Sequence, residues 1–160
     1  MYNLLSQVIG GQEYLFKGVE GKMEVVTVKK LTLEDAKRMI EAARKHAKNL
    51  GGVCSFAVVD EAGNLICFER MDGGKIGNIE IAFRKAWTAV AFKRDTYEYH
   101  ERTQPGKTGF GLHFTNPDRA SFIRGGVVIK VDEQIVGGMG CSGLPAEKDE
   151  ECVKVGIAAL

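Results

Sequence analysis

The sequence predicts an α+β fold: an antiparallel sheet of five or six strands with helices on its faces. Three observations predict it. Two long stretches, residues 32–50 and 76–94, repeat apolar residues at helical period. Between and after them lie short β-rich runs bounded by turn residues, among them CSFAVVD and NLICFER. The elements follow one another as strand, helix, hairpin, helix, loop, three strands, helix, which is not the alternation of a parallel βαβ sheet.

Size and charge narrow the function classes. A chain of 160 residues with 44% apolar residues fills a single core, read as a domain over residues 23–160 behind an extension over residues 1–22. Twenty-two basic and 21 acidic side chains leave a net charge of +1 with no block of like charge, so no nucleic-acid partner is expected. No run approaches the ~20 consecutive apolar residues that cross a bilayer, so no membrane partner is expected either. The first eleven residues carry no positive side chain and only a broken apolar run, and the expectation is a cytoplasmic protein. Cys54, Cys67, Cys141 and Cys152 lie far apart without a C-x-x-C pair, which spells out neither a zinc site nor a redox motif. They read as reduced thiols, mostly buried as small hydrophobes.

Each element has its own signal. Residues 1–11, MYNLLSQVIGG, place Tyr2, Leu5 and Ile9 with Leu4 and Val8 along one helical stripe that Gly10 and Gly11 stop, a short amphipathic helix that packs on its own domain or a neighbouring subunit or, alternatively, docks onto another assembly. MEVVTV, residues 23–28, is β-branched and reads as a strand. Thr32 then caps a helix reaching about Leu50, with Glu34 and Asp35 near the free N–H groups of its first turn. Its apolar face is Ala36, Met39, Ile40, Ala43 and Ala47, and Gly51 and Gly52 end it. CSFAVVD and NLICFER form a hairpin whose turn holds Gly63 and Asn64. The second helix, residues 76–94, turns Ile79, Ala82, Phe83, Ala86, Val90 and Ala91 inward and leaves Arg84, Lys85, Lys93 and Arg94 toward its ends or edges. Asp95 or Thr96 caps a short continuation through Tyr97 and His100.

Residues 104–119 form a loop with Phe110, Leu112, His113 and Phe114, more apolar than a solvated connection and suited to covering a pocket or an interface. Strands are expected over residues 120–123, 127–131 and 134–141, with Asp132 and Glu133 turning the last two back on each other. In IVGGMGCSG, Gly138 and Gly140 leave one strand face nearly bare, so that a helix or ligand can approach the backbone. A final helix follows Pro145, with Glu147, Asp149 and Glu150 in its first turns and Cys152, Val153, Ile157 and Leu160 near its apolar side.

The segments LTLEDAKRMIEAA, FAVVDEAGNLICFERMDG, AFRKAWTA and IVGGMGCSGLPAEKDE occur in the order of the GlcG/HbpS family, which the chain resembles over residues 31–160. The resemblance implies a profilin-like α/β/α sandwich, assembly into homo-oligomers, and binding of haem, a corrinoid-related molecule or another small cofactor. Functions within that family are diverse, and fold alone does not choose among them.

Haem iron takes donors such as histidine, and the candidates for a metal are His46 and His113, with His100 the third histidine of the chain. His46, near the end of the first helix, also suits that helix's negative end; His113 lies in the apolar loop and equally suits a backbone hydrogen bond there. Arg84, Lys85 and Thr88 on the second helix, with Arg70, form the preferred set for a carboxylate or propionate, against the alternative of helix-end or intersubunit salt bridges. Gly125 and Gly126 can offer N–H groups to an anion or simply make a turn. Cys141 beside Ser142 has no partner histidine in sequence, the G-x-G at Gly138 lacks a dinucleotide fingerprint, and Glu147, Glu150 and Glu151 read as a solvated first turn. No catalytic residue is assigned. The expectation is a non-enzymatic binding module for a small molecule, with two alternatives: an enzyme acting on a small hydroxy acid or oxidised metabolite, and an assembly protein docked through residues 1–11.

Overall fold

The computed structural model describes the backbone of residues 4–9 and 12–17 and the whole of residues 28–160. Strands β1 (Leu4–Ile9) and β2 (Gln12–Lys17) pair antiparallel, from Leu4 opposite Lys17 to Ile9 opposite Gln12. The helix expected within residues 1–11 is therefore corrected to a strand of a two-stranded sheet. The strand expected over residues 23–28 lies, but for Val28, outside the described residues, and Val28 is in no strand.

Helix α1 (Leu33–Asn49) starts on a reciprocal cap: Thr32 Oγ1 accepts from the Asp35 N–H at 3.2 Å, and the Thr32 N–H donates to Asp35 Oδ2 at 3.0 Å. It buries Ala36, Met39, Ile40, Ala43 and Ala47, the stripe its sequence predicts. Strands β3 (Ser55–Asp60) and β4 (Leu65–Arg70) make the expected hairpin; Gly63 takes φ +83° in the turn, and Asp60 Oδ1 accepts from the Ala62 and Asn64 N–H groups. Helix α2 (Gly77–Ala91) follows, then the four-residue α3 (Tyr97–His100). Strands β5 (Gly126–Val131) and β6 (Gln134–Ser142) close a second hairpin through Asp132 and Glu133, both at positive φ, as a two-residue turn of this hand requires. Helix α4 (Ala146–Ile157) ends the fold.

The larger sheet has four strands in the order β4-β3-β6-β5, all antiparallel. The expected five or six strands are thus corrected to four in that sheet, while the mixed α+β class and the antiparallel pairing hold. Residues 120–123 are not a strand; Phe122 is instead buried in an aromatic cluster. Strand alternation divides the core into two layers. Phe56, Val58, Val127, Ile129, Met139 and Cys141 pack with α1 and α4, whereas Ala57 and Val59 pack with Ala82, Ala86 and Val90 of α2. The result is a helix layer on each face of the sheet.

The bare face of β6 is occupied by α2. A Cβ on Gly140 would lie 2.1 Å from the Ala82 carbonyl oxygen, one on Gly138 2.7 Å from that of Ala86, and one on Gly126 2.2 Å from that of Lys85. No side chain fits between these backbones, so the three glycines set how closely helix and sheet approach. That proximity fixes the positions of Arg84, Lys85 and Thr88.

Candidate functional site

The residues expected to form one anion-binding set are distributed over three places. The first is the interior. Lys85, expected at a helix edge, is only 1% exposed; its Nζ donates to Asp149 Oδ2 at 2.8 Å and to the Cys141 carbonyl at 2.9 Å. This corrects its placement: the ammonium is matched by a carboxylate of its own chain. Thr88 is also buried, with Oγ1 donating to the Arg84 carbonyl and accepting from the Ser121 N–H, so it ties α2 to the segment before β5. The Gly126 N–H donates to Thr96 Oγ1, and Gly125, at φ +108°, packs against Asp149 and Lys85. These two glycines make the tight turn rather than an exposed anion nest. Thr96 Oγ1 is thereby used on β5 and does not cap α3.

The second place is the loop after α3. Two 3-10 turns, Glu101–Thr103 and Phe110–Phe114, fold it over Phe122. Phe122 makes near-perpendicular ring contacts with Phe92 at 5.2 Å and with His113 at 5.4 Å. Phe110 stands edge-on to both His113 and Phe114, and Phe110 and Phe114 remain 40% and 70% exposed. His113 Nε2 lies 3.2 Å from the Thr103 carbonyl, which can only accept; Nε2 therefore carries the proton of that bond, so in the neutral tautomer the lone pair is on Nδ1. Arg84 Nη1 donates to the Pro117 carbonyl at 2.8 Å and anchors the far end of the same loop to α2, while Arg119 lies over the Trp87 ring. His113 and Arg84 thus belong to one loop-and-helix unit.

The third place is a cleft of about 540 Å³ between the end of α1 and the end of β4, lined among others by Arg44, Lys48, Arg70, Glu69, Met71 and Asp72. Arg44 is paired with Glu41 and with Glu69, and Arg70 Nη1 reaches the Gly74 carbonyl at 3.4 Å. Ser55 lies in register with both Arg70 and Ser142, and its buried Oγ has no hydrogen-bond partner. Sequence reasoning grouped Arg70 with Arg84, Lys85 and Thr88, from which the structure separates it, and did not name Arg44 and Lys48, which lie more than twenty positions earlier on a helix face that reads as solvated.

His46 stands apart from all three. Its Nε2 is 2.7 Å from Glu151 Oε1, bridging α1 and α4. Hydrogen bonds from Lys148 and His46 hold the Glu151 carboxyl below its ordinary pKa. Glu150 is buried, which opposes ionisation, yet hydrogen bonds from Lys154 and Arg124 outweigh burial and lower its pKa. The acidic start of α4 is thus neutralised by cations of its own chain.

The family described as haem degrading protein HbpS-like matches residues 31–158. The chain belongs to the GlcG/HbpS family. Within it, the chain is 33% identical over 119 residues to a 15.0 kDa protein encoded between dhaT and dhaS of Citrobacter freundii, covering 74% of this chain and 84% of that one. It is 35% identical over 112 residues to protein GlcG of Escherichia coli, covering 70% and 81%. The solved structure of a PduOC:haem complex superposes with a TM-score of 0.79 at 31% identity, over 82% of this chain and 96% of that one. GlcG/HbpS membership accounts for the sheet and helix order, and one such relative is a haem complex. Among the described residues, no helix is long and apolar enough to cross a membrane.

Proposed function

We propose that this protein is a binding module for haem or a closely related planar, carboxylate-bearing cofactor, held at the Phe110–Phe114 turn. The observation that carries the reading is the disposition of His113. A metal-ligating imidazole commonly donates its second N–H to a carbonyl or carboxylate, which fixes tautomer and ring orientation. His113 does this through Nε2, and its ring lies 6.1 Å from that of exposed Phe110, which in turn stands against exposed Phe114, a surface for a planar apolar molecule. These residues fit a haem: His113 would supply the iron ligand, Phe110 and Phe114 the apolar contact, and Arg84, whose Nε now pairs with Glu80 at 3.3 Å, a cation that a propionate would share. The haem complex of a relative supports the same cofactor class.

His46 also donates to an oxygen, but its neighbours are charged, so it is the weaker ligand for an apolar macrocycle. The exposed Phe114 and Ile76 are apolar surfaces that a second copy of the chain would cover, in keeping with a homo-oligomer. Four free cysteines accord with a reducing, cytoplasmic setting. The test is a visible-absorption titration of the purified protein with haemin, alongside His113→Ala and His46→Ala. A saturable Soret shift retained in His46→Ala and lost in His113→Ala is expected; loss in His46→Ala alone would move the site to the α1–α4 interface.

A second reading rests on the cleft. Arg44, Lys48 and Arg70 face it against the carboxylates of Glu69 and Asp72, which favours a small anionic metabolite such as a hydroxy acid. Calorimetric titration with glycolate and lactate, compared between the unmodified protein and Arg70→Ala, decides it: heat lost in the variant supports the reading, and absence of heat with both ligands removes it.

A further inference from the structure

The interior holds a cluster of thiols and charge that neither reading uses. Cys54 precedes β3, Cys141 lies on β6, and Asp149 is in the opening of α4, yet Cys54 Sγ, Cys141 Sγ and a carboxylate oxygen of Asp149 all lie within 4.8 Å of one another. Cys54 and Cys141 are fully buried and Asp149 is 2% exposed. Cys141 Sγ donates to Asp149 Oδ1 at 3.5 Å. We propose that Cys54, Cys141 and Asp149 form a binding site for one thiophilic divalent cation, zinc being the type.

Three arguments carry this. The donor types suit the ion: two sulfurs and a carboxylate oxygen are ligands that zinc accepts in a tetrahedral site, and the spacing of the atoms needs only a small contraction around a shared ion. The charge also balances. Asp149 and Lys85 already form a neutral buried pair, so a divalent cation that displaces the protons of Cys54 and Cys141 as two H⁺ leaves the interior neutral, which burial demands. The third argument is orientation. Lys85 and the Leu144 N–H hold the two Asp149 oxygens, the outer support that ligating carboxylates require. Free cysteines acting purely as small hydrophobes would require neither a buried carboxylate nor a buried lysine beside them.

The test uses full-length protein, reduced and stripped of metal with a chelator, titrated with cobalt(II) as a spectroscopic stand-in for zinc. A thiolate-to-cobalt charge-transfer band saturating at one ion per chain and abolished by added zinc is expected. Cys54→Ser should weaken cobalt binding at least about tenfold, while Cys67→Ser, outside the cluster, should leave it unchanged. No saturable band in the unmodified protein overturns the proposal without recourse to any variant. So does a band that Cys54→Ser leaves intact or that Cys67→Ser removes.

Discussion

Replacing Lys85 with methionine, which keeps most of the stem volume and removes the charge, should destabilise the protein severely. The side chains of Lys85 and Asp149 are 2% and 3% exposed, and Nζ makes both of its hydrogen bonds inside the protein. Without it, Asp149 Oδ2 and the Cys141 carbonyl are left unpaired in the core. Breaking a buried pair from one side costs ~3–5 kcal/mol, because the remaining charge stays buried and uncompensated. For a chain of this size, 1 kcal/mol is ~2–4 °C in Tm, so Lys85→Met should melt about 6–20 °C lower. Adding Asp149→Asn removes the stranded charge while an amide oxygen still accepts from the Leu144 N–H, and should restore more than half of the loss. Urea denaturation followed by far-ultraviolet circular dichroism reads both, as a shift in midpoint at constant slope. A loss below about 1 kcal/mol in Lys85→Met, or a double variant no more stable than the single one, would refute the reasoning. A ligand-binding role for Lys85 would instead show as weakened binding with little loss of stability.

Two further outcomes follow from the fold. Burial raises the Asp95 pKa although its Oδ1 accepts from the Val128 N–H, so the unfolded chain ionises first and the charge disfavours folding at neutral pH. Asp95→Asn should therefore stabilise the protein at pH 7 by less than about 1 kcal/mol once solvent screening is counted, and the gain should vanish as pH falls through the raised pKa toward the unfolded value of about 3.9; an equal gain at low pH would contradict this. Gly140→Ala should cost at least about 3 kcal/mol, because its Cβ meets the Ala82 carbonyl oxygen at 2.1 Å. Gly51→Ala, at φ +71° with open space around it, should cost only about 1 kcal/mol in the same denaturation experiment.

Where a pattern was local and periodic, the sequence revealed the structure. Thr32 and Asp35 cap α1, its five inward residues follow the helical repeat, and Asp132 with Glu133 makes the β5–β6 turn. Where two periods competed, the reading failed. Leu4, Leu5, Val8 and Ile9 satisfy a helical stripe, but Gly10-Gly11 between two six-residue runs of mixed apolar and polar residues is equally a hairpin signal, and β1 pairs with β2. The short run around Phe122 read as a strand because four residues, three of them apolar, do not distinguish a strand from a loop that feeds an aromatic cluster. The site depended on distances that no local pattern encodes. Lys85 turns inward to a carboxylate 64 positions away, and Cys54 meets Cys141 only because β3 pairs with β6. His113 could be proposed from sequence because its apolar loop neighbours lie next to it in the chain.

The central claim, that His113 presents Nδ1 to a haem-type cofactor, is tested most directly by low-temperature electron paramagnetic resonance of the protein saturated with ferric haem, compared with His113→Ala and with His46→Ala. The account predicts a histidine-ligated signal in the unmodified protein and in His46→Ala, collapsing to that of unligated haem in His113→Ala. A spectrum unchanged by His113→Ala would contradict it.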